Sequence, residues 1–195
     1  VPQVSRDVQA LNSRLPTDER SADVSALPRA KPSEPAALDA ARSCLKILEH
    51  LEGTSPRQVL ATSHWLIFTG KPAKAEACLL ELLSRPRLED VYRKYSRINL
   101  MLARARLRDF NGVVAVGNDA LSDSQSDWQV TYNLAVAYAW LGDKDSFVAV
   151  AKQLRKVVAL PESDYLRQLL EFESERFASQ LSIPEAEVES FFGLV

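Results

Sequence analysis

Side chains able to ligate a metal or act as nucleophiles are few: two histidines, His50 and His64, and two cysteines, Cys44 and Cys78, in 195 residues. The two histidines fall in different helical patterns, with no cysteine or carboxylate at ligand spacing, so neither begins a metal site. Both are read as surface or packing residues of helices. Two thiols build no disulfide framework. They are either small buried residues or one bridge between adjacent helices, which would place the chain in an oxidising compartment. The sequence has no G-x-S-x-G, no glycine-rich phosphate loop and no H-E-x-x-H. Carboxylates are abundant, as at Glu171, Glu173 and Glu175, but they alternate around a helix as a solvated face does. The expectation is no catalytic residue, no metal and no cofactor: the chain is not read as an enzyme.

What remains for chemistry is charge in blocks. Arg93, Arg97, Arg104 and Arg108 are separated by 4, 7 and 4 residues. At about 100° per residue they share an arc of about 60° on one helix. Residues 85–108 hold eight basic groups against Glu89 and Asp90. The stripe reads as a solvated face with ion pairs to the preceding helix, or as a basic docking patch for an acidic protein segment. More remotely it reads as an RNA contact. Residues 161–195 reverse the sign, with eight acidic groups against Arg167 and Arg176, so the chain is electrically lopsided and could self-associate head to tail. The formal net charge of −2 gives no global pull toward nucleic acid or anionic membrane.

The elements that must carry these groups are helices. Hydrophobic residues make up 46% and charged residues 26%, close to the globular average. Six glycines are too few for the turns of a sandwich or barrel. No apolar run is long enough to span a bilayer. The chain opens with Val1 rather than Met, as a processed or excised piece would. Val1–Leu15 could form a short amphipathic helix, and Pro16, Pro28, Pro32 and Pro35 then interrupt any helix, so residues 1–35 are expected to be an extended or partly helical strap. Helical patterning starts at Ala36, with Leu38, Ala41, Leu45, Leu48 and Leu51 on one stripe, and continues through residues 36–195 in about nine short helices. Ser55-Pro56 reads as cap and first residue of a helix ending near Gly70; Pro72 starts the next. Ser182-Ile183-Pro184-Glu185 reads as a capping box opening a final helix that ends in an exposed Phe191-Phe192 tail.

A repeat organises the helices. Asn99–Asp109 and Asn133–Asp143 are offset by 34 residues and share six of eleven positions. The match continues through Val113–Val116 and Phe147–Val150, and Phe68-Thr69-Gly70 echoes Trp140-Leu141-Gly142 upstream. Paired short helices cannot bury both apolar faces alone and must stack on the next pair. The unit resembles the tetratricopeptide repeat, with Tyr138, Leu141 and Gly142 at positions the family favours and Pro161 near its closing proline. Arg104 and Arg108 stand where that family prefers tyrosine and glycine. The resemblance implies an all-α, right-handed superhelix of stacked helix hairpins with C-terminal capping helices. It also implies a concave groove, lined by Ile67 and Phe68, by Tyr95, Ile98, Leu102 and Arg106, and by Tyr132, Val136 and Trp140. Such a groove would act as a scaffold or adaptor for an apolar helix or extended segment of a protein partner, with the arginine stripe selecting acidic flanks. The alternatives are a permanent subunit of a larger assembly, such as secretion or trafficking machinery, and, remotely, an RNA-binding repeat. No motif fixes the compartment; the cytoplasm is the default.

Overall fold

The computed structural model describes residues 54–123, 127–161 and 163–195. The strap expected over 1–35, the helix expected over Ala36–Leu51, and Cys44 and His50 lie outside the described residues. Eight helices follow one another: α1 Pro56–Phe68, α2 Pro72–Ser84, α3 Asp90–Arg106, α4 Phe110–Asp123, α5 Trp128–Leu141, α6 Lys144–Val158, α7 Asp164–Leu181 and α8 Glu185–Phe192. The described residues form no strand.

Local chemistry sets most helix starts. Ser55 caps α1 through a reciprocal box: the Gln58 N–H donates to Ser55 Oγ at 3.3 Å and the Ser55 N–H donates to Gln58 Oε1 at 3.2 Å. Asp127 and Asp143 cap α5 and α6 by accepting the N–H groups of Gln129 and Ser146. Proline occupies the first turn of α1 and α2, where its missing N–H costs nothing. The start of α8 differs from the expected box. Ser182 instead closes α7 in a left-handed conformation at φ 55°, and Pro184 precedes α8 without a side-chain cap. A serine next to a proline suits either end of a helix, and the preceding helix claims it.

One turn recurs at the ends of α1, α3, α5 and α7. Gly70, Arg108, Gly142 and Ser182 all have positive φ. Behind each, the next N–H reaches back to a carbonyl in the last helical turn: Lys71 to Leu66 at 2.8 Å, Asp109 to Arg104 at 2.9 Å, Asp143 to Tyr138 at 3.0 Å and Ile183 to Ala178 at 3.1 Å.

Consecutive helices pack against each other, and each odd helix also packs on the next odd one: α1 on α3, α3 on α5, α5 on α7. The core follows this order without a break. Small residues allow the approach: Ala103 and Ala137, equivalent in the repeat, are both fully buried. Cys78 is buried in α2. At the C-terminal end, Phe147 of α6 meets Phe177 at 5.3 Å and Phe192 at 5.7 Å between ring centroids. The tail expected to be exposed is therefore core: Phe192 is fully buried and Phe191 half-buried, because α8 turns back across α6 and α7.

Candidate functional site

The residues singled out by sequence divide into three groups. Ile67, Tyr95 and Ile98 are buried, since the seams of α3 with α1 and α5 close over them. Leu102, Tyr132 and Val136 are half-buried against the core. Phe68 and Trp140 are 37% and 42% exposed, and Arg106 is exposed beside them.

This exposed group forms a row of equivalent positions. Phe68, Arg106 and Trp140 each stand two residues before the left-handed residue that ends α1, α3 and α5. The recurring turn thus brings equivalent side chains together at one edge. The Arg106 guanidinium lies 5.7 Å from the Phe68 ring centre, and that of Arg108 lies 5.8 Å from the Trp140 ring. Phe110, the first residue of α4, stacks on Trp140 at 5.2 Å with its plane tilted by only 7°. Leu107 and Leu141 are exposed in the same turns. Two cations over two exposed rings, with exposed leucines in the same turns, suit an apolar segment carrying carboxylates. The sequence offered Phe68, Arg106 and Trp140 but not Phe110 or the placement of Arg108 on Trp140. The signal for Phe110 was its position directly after the repeated Asp109.

The arginine stripe is divided between tasks. Arg97 spans two carboxylates of α4, bonding Asp119 at 2.9 Å and Asp123 at 2.6 Å. The Asp123 carboxyl is held below its ordinary range, first by that hydrogen bond and then by the arginine charge. Arg104 bridges α2 and α4, donating to Glu76 at 2.8 Å and to the Gly112 carbonyl at 3.1 Å. Arg93 donates to the Leu88 carbonyl at 3.2 Å. Arg108 alone of the four reaches the exposed row.

Two polar seams lie deeper. His64 in α1 is buried beside Asn99 of α3 and against the Phe68 ring, 4.7 Å away. Burial pushes its pKa from 6.5 down to about 4, while the neighbouring Asn99 side chain works the other way; His64 Nε2 itself has no hydrogen-bond partner among the described residues. Between α5 and α7, burial raises the Tyr132 phenol above its ordinary value, and the charge of nearby Glu173 adds to the effect. Glu173 is itself raised by burial and drawn back by its ion pair with Arg176. An open cleft of about 350 Å³ at the α2–α3 connection is lined by Pro56, Arg85, Pro86, Arg87, Leu88, Glu89 and Tyr92, away from the row. Among the described residues no three His, Cys, Asp or Glu side chains converge as a metal site. None of the described helices is long and apolar enough to cross a membrane. No family model, curated protein or solved structure matches the chain.

Proposed function

We propose that the chain is a non-enzymatic scaffold, a right-handed superhelix of hairpins of the tetratricopeptide kind. In this reading it holds an apolar, acidic-flanked segment of a partner protein along the row of Phe68, Arg106, Arg108 and Trp140. The observation that carries the reading is the repetition itself. Three successive hairpins present an exposed aromatic or arginine at the same position, and each ring has a guanidinium within 6 Å. A solvated surface gains little from such spacing, whereas a segment lying across the three turns meets ring, cation and ring in succession. The row replaces the deeper groove of Tyr95 and Ile98 as the contact surface, because those two side chains are already covered.

The test is selection of displayed random peptides on the intact chain and on a Phe68→Ala/Trp140→Ala variant. The wild type should enrich peptides with apolar residues flanked by Asp or Glu, and the variant should not. Equal enrichment on both would overturn the reading. The second reading, a permanent subunit of a larger assembly, is favoured by one feature: Phe172 on α7 is 80% exposed.

A further inference from the structure

Order along the row sets what it can read. The Phe68 ring lies 5.7 Å from the Arg106 guanidinium, and the Trp140 ring lies 5.8 Å from that of Arg108. Arg106 ends α3, and Arg108 closes its turn two residues later. The order of groups is therefore ring, cation, cation, ring. Both cations are exposed, and among the described residues neither has a carboxylate partner. Arg104 takes up the acids of its surroundings instead, pairing with Glu76 at 2.8 Å and lying 3.9 Å from Asp109. Two cations held over rings without a counter-ion leave two carboxylate positions open.

Helix packing sets the distances. α1 packs on α3 and α3 on α5. Packed helices stand about 8–10 Å apart, which puts the two rings about 16–20 Å apart. An extended chain rises about 3.3 Å per residue and turns alternate side chains to one side, about 6.6 Å from each other. Six such steps cover about 20 Å, so the first, third, fifth and seventh side chains meet ring, cation, cation and ring in turn. A helix repeats one face at similar intervals, but it is about 10 Å across and docks in an apolar groove. The side chains expected to line that groove, Tyr95 and Ile98, are buried. Resting on the row as the contact surface, we propose that it reads an extended segment with apolar residues at its first and seventh positions and acidic residues at its third and fifth. Residues 1–53 hold no two acidic residues two apart, so the segment comes from a partner protein rather than from the chain's own N-terminal part.

Fluorescence anisotropy of labelled nine-residue peptides on the full chain tests it. One peptide has leucine at positions two and eight, aspartate at four and six, and serine elsewhere. The other has the same composition with the aspartates moved to five and seven, which turns them to the opposite side of an extended chain. The first should bind at least about tenfold more tightly. Arg106→Glu should weaken it by at least about tenfold. Helicity should stay unchanged, because the Arg106 side chain is exposed. Binding to that variant should return when lysine replaces one of the two aspartates. Equal binding of both peptides, lost in Phe68→Ala/Trp140→Ala, would overturn the spacing and leave the row as the contact surface. So would binding of neither peptide where selection of displayed peptides still depends on Phe68 and Trp140. Tighter binding of a peptide with leucine, two aspartates and leucine at helical intervals of four, three and four residues would put a helix on the row and overturn the extended segment. Failure of lysine to restore binding to Arg106→Glu would overturn the pairing of Arg106 with an acidic residue. Binding indifferent to Phe68→Ala/Trp140→Ala would overturn the row itself, and the spacing with it.

Discussion

Arg108 occupies a backbone conformation that costs an L-residue about 1 kcal/mol and costs glycine almost nothing. Its φ of 60° matches the 69° of Gly142 at the equivalent turn. The side chain offsets part of that strain by lying over Trp140. Arg108→Gly and Arg108→Ala both remove the guanidinium, so their difference isolates the backbone. The glycine variant should be more stable by about 1 kcal/mol in denaturant melts. Equal stabilities would mean that the turn relaxes out of the left-handed region. His64 makes a second residue-scale prediction. Its folded pKa of about 4 lies below the ordinary 6.5, so between these values the unfolded chain binds the proton that the folded chain refuses. Stability therefore falls as pH drops through 6.5 and levels off below about 4; His64 should account for a loss of about 2 kcal/mol between pH 7 and 5. Glu173, whose folded pKa is raised, contributes with the opposite sign. A His64→Gln chain compared with wild type at each pH separates the two. An unchanged pH slope in that chain would show that His64 titrates normally.

At the scale of elements, caps were the most legible feature. Ser55, Pro56, Pro72 and Gly142 mark boundaries through backbone groups that only their own side chains or conformations satisfy, so neighbours have little say, whereas Asp127 and Asp143 were not read as the caps they are. Ser182 and Arg108 were not legible as left-handed residues, because neither type prefers that conformation and packing imposes it. Candidate contact residues were legible only in part. Periodicity placed four arginines on one helical arc with ion pairs to the preceding helix; Arg104 does pair with Glu76 of α2, but Arg97 turns to Asp119 and Asp123 of the following α4, and Arg108 lies past the end of α3. Phe172 escaped notice because its neighbours in sequence are acidic. Volume is also exchanged between equivalent positions of the even helices. Ala75 pairs with Leu79, Val113 with Gly117 and Phe147 with Ala151, a small residue beside a larger one each time. A Cβ built on Gly117 would lie 2.6 Å from Leu134 Cδ2 and 2.8 Å from Met101 Cε, and both side chains are fully buried. Gly117→Ala should cost about 1–3 kcal/mol in overpacking against about 1 kcal/mol gained in helix propensity. Net destabilisation is expected, with the opposite sign at an exposed helical glycine; a more stable variant in thermal melts would show that α4 can move away from α3 and α5.

Among the described residues, the helices meet chiefly neighbours one or two places away along the chain. Stability in such a stack is a sum of local units and their interfaces, not a property of one centre. The C-terminal unit is distinctive in being held by aromatic rings: Phe192 is fully buried on Phe147 and Phe177, and Lys144 of α6 adds an ion pair at 2.9 Å to Glu187 of α8. The ion pair is exposed and contributes at most about 1 kcal/mol, so the rings dominate. Phe192→Ala should remove about 3–5 kcal/mol, and the loss should be local. Amide exchange should accelerate through α6, α7 and α8 while α1, α2 and α3 keep their protection. Uniform acceleration from α1 to α8 would instead mean that the hairpins unfold as one unit. The same substitution should leave peptide selection by Phe68 and Trp140 unchanged, since those side chains stand on α1 and α5.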